Sequence, residues 1–287
     1  MKSIILFIII IVISLPGSYL KAQKSFQMKA ELAKTHFITY ERIDLGIEIK
    51  NVSNSIIKEN FRHNVHIKIF DQNGKEIPRK GLSTDNFSPY KDEFKINEEW
   101  FNVVELNDFF GKELSFFTTS RYYDPGKYII KISFKPPHSE EITDNISFQV
   151  TKPTGDEAIV FTTLLQIFDN AKNGKYKGSE YPEALYSLHI YYPYSVYSPQ
   201  MLDIIGAVYQ SFLNDQNKSD MISKELLEKY PWSPLGRGML NIILKKMKSD
   251  KERRDYIMKL LPGSKNYPMH RVLENLLKEL KNNTWKK

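Results

Sequence analysis

Between Phe26 and Val150 apolar residues recur at every second position. FQMKAELA sets Phe26, Met28, Ala30 and Leu32 on one face, and DLGIEIK sets Leu45, Ile47 and Ile49 against Asp44, Glu48 and Lys50. VHIKIF does the same with Val65, Ile67 and Ile69, YIIKISF with Tyr128, Ile130, Ile132 and Phe134, and ISFQV with Ile146, Phe148 and Val150. Period two marks strands with one buried face, because successive side chains of a strand point to opposite sides. Asn73-Gly74 lies between two such stretches and predicts a hairpin, since both residues accept the positive φ that a tight turn needs. Polar outer faces and turn residues between strands predict an antiparallel β-sandwich over residues 23–152.

The period changes at residue 153. Pro153 ends the last strand, Thr154 and Glu157 have the spacing of a capping box, and Ala158, Phe161, Leu165 and Phe168 follow at helical intervals. From there to Leu280 the chain reads as short amphipathic helices, each too short to be stable without neighbours. With no Gly/Ser linker at the boundary, the first helix is expected to pack close to the strands. One phrase recurs among these helices: YPYSVYSPQMLDII at 192–205 and YPWSPLGRGMLNII at 230–243 share seven of fourteen positions. In each copy Tyr-Pro stops a helix and a serine, Ser195 or Ser233, is placed to cap the next, with Pro234 suited to a first helical position. A looser copy, LPGSKNYPMH, keeps Pro262 and Ser264.

Two family resemblances rest on these segments. DPGKYIIKISF resembles the closing strands of immunoglobulin-like domains of secreted bacterial proteins, which implies a spacer or binding module. The Tyr-Pro-x-Ser units, with Leu202, Ile205, Gly206 and Tyr209 in the first-helix spacing, resemble tetratricopeptide-type repeats over roughly 176–280. Lys218 and Leu244 depart from the small residues that pattern expects. The resemblance implies a solenoid surface that binds peptide segments or other proteins. The expected architecture is therefore multidomain β + α, an N-terminal antiparallel immunoglobulin-like sandwich (23–152) followed by tetratricopeptide-like α-helical repeats (153–287).

The N-terminus modifies the picture. Lys2, the apolar stretch Ile4–Leu15, Pro16-Gly17 and a small residue at Ala22 have the layout of a signal peptide over residues 1–22. The apolar run is shorter than the roughly 20 residues of a spanning helix, so no membrane span is expected after cleavage. The sequence contains no cysteine, which excludes disulfides, a lipoprotein anchor and thiolate metal sites. The expected location is the periplasm or cell surface. Removing residues 1–22, which hold Lys2 and Lys21 and no acid, lowers the net charge from +7 to +5. The basic residues are interspersed with acids, even in KKMKSDKERR, so nucleic acid is not an expected partner.

The common catalytic signatures are absent: no Gly-rich phosphate loop, no G-x-S-x-G and no H-E-x-x-H. His63 and His66 are an odd number of residues apart on a strand, which points them to opposite faces, and His270 with Glu274 supplies two ligands without a third. No cofactor, no metal centre and no enzymatic activity are expected. The remaining candidates are aromatic. YPEALYSLHIYYPYSVY holds six tyrosines, and those at 191, 192 and 194 cannot all face one core, so Tyr191, Tyr192, Tyr194 and Tyr197 are the candidate protein-binding residues. The stretch 84–120 is also aromatic-rich, and Trp100 and Phe101 are the candidates for an alternative, glycan-binding role. Other envelope or secreted proteins are the expected partners; a hydrolase would need converging carboxylates that spacing alone does not reveal. The oligomeric state stays open.

Overall fold

The computed structural model describes residues 25–79, 87–115, 118–233, 235–282 and 285. The signal-peptide segment 1–22 and the predicted helix start at Pro234 lie outside them. Among the described residues the strands form four sheets. The largest has five, in the order β2 (His36–Ile38), β12 (Ile142–Thr151), β11 (Gly126–Phe134), β5 (Val65–Asp71) and β6 (Glu76–Ile77). A second has three, β1 (Phe26–Leu32), β3 (Asp44–Asn51) and β8 (Glu99–Glu105). β4 (Ile57–Lys58) pairs with β7 (Glu93–Phe94), and β9 (Lys112–Ser115) with β10 (Thr118–Tyr122).

The apolar faces predicted from period two are the buried ones. Leu45, Ile47 and Ile49 of β3 meet Val65 and Ile69 of β5 and Ile130, Ile132 and Phe134 of β11 in a single core. Phe26 sits at its centre, edge-on to Phe61, Phe94 and Phe134 with ring centroids 5.3–5.5 Å apart, the geometry in which the electropositive rim of one ring meets the electronegative face of the next. The Asn73-Gly74 hairpin forms as predicted: Gly74 takes φ 76°, and the Asp71 carboxylate accepts from the Asn73 and Lys75 amides. At the other end, the Tyr128 hydroxyl donates to the Asp124 carbonyl at 2.8 Å and closes the Pro-Gly turn before β11.

The expected all-antiparallel immunoglobulin-like sandwich is not the architecture found. β2 runs parallel to β12, with Phe37 opposite Val150. The reason is local. The chain leaves β1 only three residues before β2, and laying β2 beside the last strand buries Phe37 against Phe148, with ring centroids 6.0 Å apart. β2 then delivers Tyr40, fully buried, out of the sheet core and into the helical core beside Phe161, Phe168 and Tyr197. The result is a mixed sheet-and-helix architecture, with a short helix α1 (Leu106–Phe109) inside the strand half.

The later helices are α2 (Gly155–Lys172), α3 (Glu180–Tyr191), α4 (Ser198–Ser211), α5 (Gln216–Lys229), α6 (Gly236–Lys246), α7 (Asp250–Ser264) and α8 (Pro268–Lys281). They do not form the expected tetratricopeptide-like array. Their lengths run from 11 to 18 residues, and the last helix packs on β8 and β3 as well as on α7. The third copy of the motif breaks down for a physical reason. Pro262 lies inside α7 rather than ending it, and Ser264, its last residue, donates to the Leu261 carbonyl instead of capping α8. Gly263 stands so close to Pro231 that a Cβ would come within 2.5 Å of the ring.

The recurring unit is a turn. Tyr192 after α3 and Tyr230 after α5 take nearly the same conformation, φ −129° with ψ 61° and 56°. In both, the serine three residues on donates its amide to the tyrosine carbonyl, at 3.1 Å for Ser195 and 2.9 Å for Ser233, and its own carbonyl accepts the amide three residues further along.

Candidate binding surface

The α3–α4 turn is held from three directions. Glu157, predicted to cap α2, instead reaches across to accept from the Ser195 hydroxyl at 2.6 Å and the Val196 amide at 3.0 Å. The Thr154 side chain makes no capping bond either. The Tyr230 hydroxyl, from the second copy of the turn, donates to the Pro193 carbonyl. Ser198 donates to the Tyr192 carbonyl at 2.8 Å. Ser195, predicted as the cap of α4, turns its oxygen toward the Tyr197 amide at 3.2 Å, inside the turn.

This frame sorts the four tyrosines. Tyr194 is 97% exposed and Tyr191 80% exposed, next to the exposed Ile190. Tyr192 is half-buried against the helical core. Tyr197 has no exposed surface at all, and its hydroxyl donates to the Thr39 carbonyl at 2.7 Å. Tyr197 therefore belongs to the junction between the strands and helices and is not a surface residue. An aromatic exposed on a flexible loop loses entropy on binding; Tyr194 stands on a turn whose backbone is already fixed.

Trp100 and Phe101 are neighbours on β8 and so face opposite ways. Trp100 packs toward the sheet core, whereas Phe101 packs toward the helices under the Arg271 guanidinium, 4.8 Å from its ring centroid. The pair does not form one aromatic platform.

The junction carries the charged groups that spacing did not reveal. Arg42, between β2 and β3, pairs with Glu105 and with Asp108 at 3.2 Å. Asp44 of β3 and Asp203 of α4 share the field of the same guanidinium. Asp44 Oδ1 is sealed from solvent without a hydrogen-bond partner. Burial, which penalises the charged form, pushes the Asp44 carboxyl up to about 7; Asp108 and Glu41 add to the rise and Arg42 opposes it. Asp203 is pushed up to about 6, again chiefly by burial. On the far side of the junction Arg271 of α8 pairs with Glu48 and, at 2.8 Å, with Glu99, joining the last helix to β3 and β8.

His189 is the one buried histidine among the described residues. Its Nε2 is 3.3 Å from Glu225, which also accepts from Tyr186 at 3.1 Å and from Lys229 at 2.7 Å. Burial holds the His189 pKa below the usual imidazole range, and the Glu225 carboxylate only partly offsets it. His270 lies 3.8 Å from Glu274 on the surface, and His270 Nδ1 is within 3.0 Å of Ser264. Among the described residues no group of three histidine or acidic side chains is arranged to hold a metal ion, and no helix is long and apolar enough to cross a membrane.

No protein family and no curated protein matches the chain. Among solved structures it is similar in part to a β-glucosidase from Listeria innocua bound to gluconolactone, at 16% identity and a TM-score of 0.27, over 45% of this chain and 16% of that one. A β-glucosidase from Erythrobacter marinus matches at 11% identity and TM-score 0.26, over 44% of this chain and 15% of that one. The sporulation control protein Spo0M from Bacillus subtilis matches at 9% identity and TM-score 0.27, over 52% and 56%. The chain thus spans about a sixth of the length of the glucosidases it matches. Likenesses of this size carry no argument about fold or activity.

Proposed function

We propose that the protein is an exported, non-enzymatic binding protein of the cell envelope, and that it contacts a partner protein through Tyr191 and Tyr194 at the α3–α4 turn. The observation that carries this reading is the near-complete exposure of Tyr194 on a turn fixed by Glu157, Ser198 and Tyr230. Tyrosine supplies large contact area and a polar tip with few rotatable bonds, and a fixed backbone removes much of the ordering cost of association. The signal-peptide layout of residues 1–22 supports export to the periplasm or cell surface.

The test uses the mature chain as bait against native envelope extract, beside a Tyr191→Ala/Tyr194→Ala variant. The expected result is one dominant partner that rebinds the wild-type chain after purification and is lost from the variant at unchanged melting temperature. Equal recovery by both proteins would refute the assignment of the surface.

A further inference from the structure

A cleft of about 600 Å³ opens between α6, α8 and β8, away from the tyrosine turn. One wall is a stripe on α6. Arg237, Asn241 and Lys245 recur every fourth residue and so stand above one another on one helix face. The opposite wall and floor are apolar in the middle, with Val272 and Leu276 of α8, Phe101 of β8 and Trp285. Asn275 and Glu279 of α8 complete the rim.

Arg42, Arg253 and Arg271 each face at least one carboxylate. Arg237, exposed on α6, donates to the neutral Asn102 amide at 3.0 Å. Among the described residues Lys245 has no carboxylate within ion-pair distance. Two cations thus stand along one wall outside any ion pair of the described residues, facing the Glu279 carboxylate across an apolar floor. An arriving carboxylate can give the Arg237 guanidinium a charge-assisted pair that the neutral Asn102 amide does not supply.

The geometry points to this cleft as a binding site for an acidic, apolar peptide segment: carboxylates against Arg237 and Lys245, and an aliphatic or aromatic side chain over Phe101, Val272 and Leu276. A peptide fits better than an acidic sugar. Val272 and Leu276 offer no flat face for a pyranose ring, and one face each of Phe101 and Trp285 is already covered by Arg271 and Arg253, at 4.8 and 4.9 Å from the ring centroids. The site is separate from the tyrosine turn, so either can fail without the other.

The experiment is selection of random decapeptides displayed on phage against the mature chain, repeated with Arg237→Glu and Lys245→Glu variants whose circular dichroism and melting temperature match the wild type. The wild type is expected to enrich sequences that combine Asp or Glu with Leu, Ile, Val or Phe. A synthetic peptide from that pool should bind at least tenfold more weakly to each variant, lose affinity with added salt, and bind a Tyr194→Ala variant unchanged. Three outcomes overturn the inference: no acidic enrichment over the unselected library, enrichment that survives both charge reversals, or binding of a polygalacturonate oligomer in place of any peptide. Lys245 lies on the open rim of α6, so its variant tests the charge without touching the Asn102 bond.

Discussion

Replacing Asp44 by asparagine should stabilise the protein at neutral and alkaline pH and do progressively less as the pH falls. The buried carboxyl has its pKa raised from 3.8 to about 7. The native state therefore keeps a proton that the unfolded chain releases near pH 4. Stability associated with this group is fully present below the unfolded pKa and is lost as pH rises through the folded one, so the ionised group is a burden above pH 7. A shift of roughly three units at about 1.4 kcal/mol per unit sets an upper bound of about 4 kcal/mol. Relaxation around the charge and water entry reduce the realised value, and about 2 kcal/mol is the working expectation. Asparagine keeps the shape of the side chain without the charge. Urea denaturation of both proteins at pH 4.5, 6 and 8, followed by circular dichroism, isolates the effect, because titrations common to both cancel in the difference. The difference should grow with pH and level off above about pH 7. A difference that is the same at all three pH values would refute the reasoning, since it would locate the effect in packing rather than in the charge.

Other outcomes rest on the same geometry. His189 has the opposite sign to Asp44: its depressed pKa means that the unfolded chain takes up a proton near pH 6.5 that the native state declines, so stability is lost as pH falls below about 6.5. His189→Gln should flatten that limb of the pH–stability curve. Tyr197→Phe removes the buried hydrogen bond to the Thr39 carbonyl and should cost about 1–2 kcal/mol in urea denaturation, whereas Tyr194→Phe and Tyr194→Ala should stay within about 0.5 kcal/mol of wild type. Glu157→Ala leaves the Ser195 hydroxyl and Val196 amide without their acceptor; a loss of about 1–3 kcal/mol and faster amide exchange at Val196 are expected. A double-mutant cycle between Arg271 and Glu48 should give a coupling of about 1 kcal/mol that shrinks with salt, because both side chains are partly exposed.

The strands were legible because their signal is local. Leu45, Ile47 and Ile49 alternate with polar neighbours, and the face they define is the buried one. The parallel pairing of β2 was not legible, because three residues carry too little pattern to state a partner, and Phe37 gives the same alternation in either direction. The Tyr-Pro-x-Ser phrase did encode a reproducible turn at Tyr192 and Tyr230. It did not encode a repeated unit, since the packing of the helix after each turn is fixed by tertiary contacts such as Gly263 against Pro231. Glu157 illustrates the same limit at one residue. Its spacing from Thr154 matched a capping box, but the Ser195 and Val196 donors, nearly forty residues away, compete for the same carboxylate and win. Of the four tyrosines, sequence separated a surplus from the core without saying which would be outside; α3 ends just before Tyr192, and the turn returns Tyr197 to the junction. The Arg42–Asp44–Asp203 group had no sequence signal at all, because α4 brings Asp203 to the sheet only after the chain has folded.

The reading of the molecule as a binding protein rests on Tyr194, and site-specific photo-crosslinking addresses it most directly. A photoreactive phenylalanine derivative at 191 or 194, with controls at the exposed sheet positions 68 and 131, is irradiated in the native envelope. Crosslinks to one dominant protein are expected from 191 and 194 and none from 68 or 131, with the purified partner then binding wild type but not Tyr194→Ala. Crosslinks confined to the sheet positions, or none from the turn, would contradict it.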